Sequence, residues 1–303
     1  MGVTVAQLRV FTAVIANGGF GVAAEELGMS QSAVSHALAA LERALGAPLV
    51  LRHGSARPTA LGAAILPHAQ AALASVTAID EVVSSHLGQH TGTVRVAAPP
   101  TVCCGLLPQL MRTWRAELPG VEVQVFEGDD DELAPWLETG VVDAAILVDP
   151  VPPPPAHVVV GRDAFHAVVR ADHPLAGQEH ITMAELVEDP LLVSKGGCEP
   201  QTRALCSMAG VPYAPAQHVR ELGTLIGMIA AGIGVSPVPD LGRGLLPPGL
   251  VMVPLRPSLE RALVLTGPLT RPPSPLVDAL LRTAPEAPAV SAVTEAPAPV
   301  PLP

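Results

Sequence analysis

Among the seventeen basic residues of the chain there is one lysine, Lys195; the rest are arginines. It sits in the run Ser194-Lys195-Gly196-Gly197-Cys198-Glu199-Pro200. The glycines let backbone approach a ligand closely, and Pro200 suits the first turn of a following helix. Thr101, succeeded by Val102 and Cys103, stands in a comparable place, after the strand-like run 93–98 and before another helical stretch. A hydroxyl, free N–H groups at a helix start and an ammonium together make an anion site. Thr224 opens a third helical stretch, and Gly128 borders the acidic run 127–133, whose charge at a helix start serves mostly to stabilise that helix.

The thiols and imidazoles suggest other chemistry. Cys198 and Cys206 flank one predicted helix at a spacing of eight residues. At 1.5 Å per residue that is roughly 12 Å, beyond the ~7 Å a disulfide spans, so oxidation would require local unfolding. Cys198, near a helix start and Lys195, is expected to have a lowered pKa. Catalysis by Cys103 or Cys198 would need a positioned base and a recognisable strand–turn motif, and neither is found, so no enzyme is expected. His86 and His90 have helical metal-ligand spacing, but Gly88 interrupts it and no third ligand is evident. No metal or cofactor is expected.

These residues must be held by elements, and the pattern of elements changes along the chain. Val5, Leu8, Phe11, Val14 and Ile15 mark a first helix, and residues 21–27 a short second one. Ser30 caps a third helix, in which Val34, Leu38, Leu41 and Leu45 form a buried stripe and which Gly46 ends. Residues 49–58 read as a small hairpin turning at His53-Gly54-Ser55, and Thr59 caps a long Ala-rich helix to about His86, with Pro67 inside it. From Thr93 onward, strands and helices alternate, which indicates an open α/β sheet. The Pro/Ala-rich segment 285–303 reads as a disordered tail.

Helix, helix, turn, longer helix and hairpin make a winged helix-turn-helix, whose third helix enters the DNA major groove by its N-terminal end. Ser30, Gln31, Ser32, Ser35 and His36 lie there, all able to hydrogen-bond to bases or phosphates. The net charge of −11 argues against nucleic acid when taken alone, but residues 1–58 carry four arginines against three glutamates. A hydrophobic fraction of 49% with only 2% aromatics means a core of Ala, Val, Leu and Ile. No apolar run of membrane-spanning length and no signal peptide are read, so a cytoplasmic protein without a membrane partner is expected.

The stretches "AEELGMSQSAVSHALAALERALGAPLVLR" and "PTALGAAIL" resemble the LysR-type transcriptional regulators. The resemblance implies an N-terminal winged helix-turn-helix with a long linker helix, followed by a two-lobed α/β effector domain like a periplasmic binding protein. It puts Gln31, Ser32, Ser35 and His36 toward bases or nearby phosphates, with Arg52, Pro58 and Thr59 of the wing on the DNA backbone. Val50 stands where the family usually has Phe. The implied domains are 1–58 for DNA binding, 59–92 for the dimerising linker and hinge, and 93–284 for the effector. Within the last, lobe I takes 93–161 and 268–284, and lobe II takes 162–267.

By the same resemblance, Thr101, Val102, Cys103, Gly128, Ser194, Lys195, Gly196, Gly197 and Thr224 border a cleft between the lobes. The expected effector is a small anion held by Lys195 and two helix starts. The expected partners are double-stranded DNA, the effector, and further copies of the chain as a homodimer or homotetramer. One branch of the family senses peroxide through two cysteines in the region of Cys198 and Cys206, which leaves redox sensing as the alternative. A stand-alone solute-binding protein would explain residues 93–284 but not the winged segment.

Overall fold

The computed structural model describes residues 2–51, 55–86 and 91–287. Arg52 of the wing, His90, and the tail from residue 288 lie outside the described residues. The N-terminal unit is α1 (Val5–Ala16), α2 (Phe20–Glu26), α3 (Gln31–Leu45), β1 (Val50–Leu51) and β2 (Arg57–Pro58). Thr4 caps α1 through a reciprocal bond pair with Gln7. Ser30 caps α3, and Gly46 ends it in the left-handed conformation. Phe11, Val14, Val34, Leu38, Leu41 and Leu49 close one core beneath these helices. β1 and β2 pair antiparallel as the wing, Val50 against Pro58.

Helix α4 (Ala60–His86) leaves the wing directly. Its first turn packs so closely that a side chain on Gly62 would stand 2.1 Å from the Leu49 carbonyl oxygen, which is why this turn holds glycine. Contrary to the sequence expectation, 25 residues of this helix are long and apolar enough to cross a membrane, with mean hydropathy 1.3. Alanine supplies that average without a continuous large-residue run. Little of the helix is buried within the subunit, and Ile79, Val82 and Val83 lie exposed on one face.

The effector body then runs β3 (Gly92–Ala98), α5 (Pro100–Gly105), α6 (Leu107–Glu117), β4 (Val121–Glu127), α7 (Asp130–Thr139), β5 (Ala144–Val148) and β6 (His157–Arg170). It continues β7 (Ile181–Thr182), α8 (Met183–Leu186), β8 (Leu192–Ser194), α9 (Glu199–Met208), β9 (Gln217–Val219), α10 (Leu222–Ala230) and β10 (Ser236–Pro239). A 3-10 turn (Asp240–Leu245), β11 (Leu250–Arg256), β12 (Glu260–Thr266) and α11 (Pro275–Thr283) complete it. One helix was expected near 104–117; two form. Pro108 cannot donate to the carbonyl of Cys104, and Gly105 lies against the backbone of Leu241.

β6 belongs to both lobes. Its first half pairs with β12, and its second half with β10 and β11. Lobe I is the sheet β4-β3-β5-β12 with the first half of β6, covered by α6, α7 and α11. The chain returns to lobe I earlier than residue 268, because β12 pairs with β5 from Leu263 to Thr266. Both crossings therefore lie near Asp163 and residues 257–260. This places the middle of β6, the start of β12 and the start of α5 at the mouth between the lobes.

Candidate functional site

Two surfaces collect the chemistry. On α3, Val34, Leu38 and Leu41 are fully buried, while Gln31, Ser32 and His36 are exposed and Ser35 is half-buried. Ser30 Oγ accepts from the Ala33 amide at 3.2 Å and lies 2.9 Å from Ser32 Oγ, so much of its capacity goes to capping. Thr59 Oγ1 donates to the Pro48 carbonyl at 2.9 Å and accepts from the Gly62 amide at 3.0 Å, tying the wing to α4. Pro58 is half-buried opposite Val50. The exposed polar edge of α3 is thus Gln31, Ser32, Ser35 and His36, on a helix locked from behind.

The second surface is a cavity of about 560 Å3 between the lobes. Thr101, Gly128, Ser194, Gly196 and Gly197 line it. Val102, Cys103, Lys195 and Thr224 do not. Val102 is fully buried in the lobe I core, and Cys103 Sγ turns to the Ala98 carbonyl at 3.4 Å. Thr224 is exposed, whereas Gly223, Ile226 and Gly227 of the same helix face the cavity. Lys195 is exposed, and its amide pairs with the Val219 carbonyl at 2.8 Å. Lys195 stands just past the end of β8, in the turn before α9, and lies in solvent, whereas Ser194, the last residue of that strand, is buried at 3% exposure. Lys195→Ala is expected to change stability by less than about 0.5 kcal/mol and to leave ligand-induced stabilisation intact, as thermal melts would show.

The cation that does reach the cavity is Arg261, in β12, with only 2% exposure. Its Nε donates to Asp163 Oδ1 at 2.7 Å, and its Nη2 donates to Asp163 Oδ2 at 3.2 Å and to Thr101 Oγ1 at 2.8 Å. The Leu241 amide donates to Asp163 Oδ2 at 3.1 Å. Thr101 thus orients Arg261, and both chain crossings meet in one buried polar knot. In the sequence Arg261 stands beside Glu260 at the edge of the apolar run 262–265, where a charge is ordinary and gives no sign of burial.

A second arginine, Arg220, reaches across the mouth from lobe II to Asp129 at 3.5 Å and Glu132 at 3.6 Å in lobe I. Being largely exposed, this latch contributes little stability. Close by, a side chain on Gly197 would stand 2.8 Å from Asp130 Oδ1, and Gly197 has φ +106°, so glycine is required there twice over. Burial pushes the Asp130 carboxyl up to about 6; Arg261 opposes that shift, and Asp129, Asp131 and Asp149 add to it.

The cysteines are free thiols. Cys198 forms the N-cap of α9, but burial pushes its thiol up to about 12, against the lowering expected from a helix start and Lys195. Cys103 is pushed up to about 12, chiefly by burial, and burial also raises Cys206. Only Cys104 is exposed. Iodoacetamide at pH 7.5 should therefore modify Cys104 first and leave Cys198 and Cys206 intact until the protein unfolds, as peptide mass mapping would show.

A winged helix-turn-helix joined by a long helix to a two-lobed body with an interlobe cavity defines a ligand-responsive DNA-binding regulator. The comparisons agree with that class. Residues 5–63 match the model of the bacterial regulatory helix-turn-helix protein, lysR family, and residues 87–289 match the LysR substrate binding domain. The chain belongs to the LysR family of transcriptional regulators and is not an enzyme.

The chain is 30% identical over 246 residues to the uncharacterised regulator YvbU of Bacillus subtilis, covering 80% of this chain and 84% of that protein. It is 33% identical over 244 residues to a probable hydrogen peroxide-inducible genes activator of Mycobacterium leprae, covering 78% of each. A full-length OxyR variant from Pseudomonas aeruginosa, carrying a single cysteine-to-aspartate substitution, superposes with TM-score 0.73 at 25% identity, covering 93% of this chain and 95% of that one. CbnR, at 21% identity, shares the fold with TM-score 0.69, covering 94% and 100%.

Proposed function

We propose that this regulator reads double-stranded DNA through Gln31, Ser32, Ser35 and His36 and changes its activity when a small molecule occupies the cavity between its lobes. The observation that carries the reading is the cavity itself. It is bounded by the crossings that join the lobes and by the Arg220 latch, so a ligand there bears on how the lobes pack. Such a ligand regulates if it prefers one packing over another. The likeness to CbnR, whose fold is also known in complex with its target DNA, supports the DNA-reading half.

The exposed face of α4 at Ile79, Val82 and Val83 suits the same helix of a second copy, giving a dimer or, by pairing of dimers, a tetramer. A helix-on-helix role explains its apolar face without a membrane and accords with a cytoplasmic protein. The second reading, redox sensing by Cys198 and Cys206, draws on the peroxide-activator relatives. Their burial as raised-pKa thiols favours the ligand reading.

A cavity-filling variant tests the proposal. Gly227 has open space beside it and lines the cavity, so Gly227→Phe should fill the site without disturbing the fold. On a promoter fragment selected by the wild type, both proteins should bind DNA, and only the wild type should alter reporter output when the growth medium is changed. An equal response from Gly227→Phe would overturn the reading.

A further inference from the structure

We infer that the effector is a small organic cation, carrying an ammonium or guanidinium that sits against Asp130, with an apolar body. This rests on the proposed cleft site and reverses the anion expected from Lys195. The reason is a mismatch of charge within the cavity. Five carboxylates line it (Glu127, Asp129, Asp130, Glu132 and Glu221) against two arginines.

Both arginines are already matched. Arg261 is held two-pronged by Asp163, and Arg220 pairs with Asp129 and Glu132. Among the described residues, Glu127, Asp130 and Glu221 have neither a side-chain hydrogen bond nor an ion pair. Asp130 is the telling case, because its Oδ1 is out of contact with solvent and has no hydrogen-bond partner. Oδ1 lies against Gly197, out of reach from the cavity, so a ligand's donor would meet this carboxylate at Oδ2 and offset the cost of its buried, unpaired charge.

Anion binding would add a sixth negative charge to this lining. A cation would supply the missing donor and offset the excess. The lining also fits an organic cation rather than a bare metal ion. Pro99, Pro100, Leu222, Ile226 and Leu245 provide apolar wall, and no described group of three or more His, Cys, Asp or Glu side chains is placed to hold a metal. A volume of about 560 Å3 accommodates a small metabolite.

The pH dependence follows from the same residue. Arg261 faces Asp130 as the opposing cation, with Asp129, Asp131 and Asp149 as like charges. Protonation of Asp130 would remove the charge that holds the ligand, so affinity should fall as pH drops through about 6.

The test is isothermal titration and thermal shift on the full-length protein with putrescine, agmatine and L-lysine as cationic probes, and succinate and benzoate as anionic ones. The same probes are applied to Asp130→Asn and Gly227→Phe. The expected result is that at least one cation binds the wild type at pH 7.5, binds Asp130→Asn at least tenfold more weakly, and fails to bind Gly227→Phe. Binding should weaken by a similar factor at pH 5.

Cation binding of equal strength to wild type and Asp130→Asn would overturn the inference. If anions alone bind, and Gly227→Phe abolishes that binding, the cleft reading stands and the cation assignment fails. If no probe of either charge binds the wild type, or binding survives Gly227→Phe, the cleft reading itself fails.

Discussion

Arg261→Met should destabilise lobe I by about 3–5 kcal/mol, the usual cost of removing one member of a buried ion pair. The loss comes mainly from Asp163, which would keep its charge at the crossing with only the Leu241 amide as a described donor. Thr101 would lose its bond to Nη2 as well. Both tryptophans, Trp114 and Trp136, lie in lobe I, so their emission during urea unfolding reports on the affected body. Adding Asp163→Asn to Arg261→Met should recover much of the loss, because the uncompensated charge goes with it. Equal stability of wild type and Arg261→Met would contradict the role assigned to the knot.

Asp130→Asn should act in the opposite direction. The folded protein holds this carboxyl at about 6, against an ordinary 3.8, chiefly through burial. An acid whose pKa is raised by folding binds its proton more tightly when folded. Its ionisation therefore costs stability above pH 6; the cost shrinks between about 6 and 4 and is gone below that. About two units correspond to roughly 3 kcal/mol, the ceiling for what the amide should return at pH 8. Thermal melts should show Asp130→Asn more stable than wild type at pH 8 and the two converging near pH 4. A variant less stable than wild type at pH 8 would mean that Asp130 has a partner in the folded protein. The prediction and the inferred ligand share one cause, since a site kept unsatisfied until its effector arrives is a strained site without it.

What the sequence disclosed and what it withheld divide along the distance between the partners. Ser30, the stripe Val34-Leu38-Leu41 and Gly46 define α3 through contacts within a few residues, so the helix and its exposed polar edge were legible. The β3–α5 turn at Thr101 was legible for the same reason. Arg261 was not, because its partners are 98 and 160 residues away. The boundary near 260 was missed through the same non-locality: whether β12 joins lobe I or lobe II depends on pairing with β5, and the strand's own sequence is silent on that. Lys195 failed because the direction of a side chain in a turn depends on what packs around that turn. β8 ends at Ser194 with all three of its residues buried, so the strand offered no guide to the turn residue that follows.

The central claim is that Gln31, Ser32, Ser35 and His36 form the surface with which this regulator reads DNA sequence. Selection of binding fragments from a random double-stranded pool, by wild type and by Gln31→Ala in parallel, tests it most directly. The wild type should enrich an interrupted palindrome with half-sites on one face of the duplex. On that sequence Gln31→Ala should bind roughly 10- to 100-fold more weakly, a loss of about 1–3 kcal/mol, with relaxed preference at the bases it no longer contacts. Enrichment of the same sequence with the same affinity by both proteins, or no enrichment by the wild type, would contradict the account.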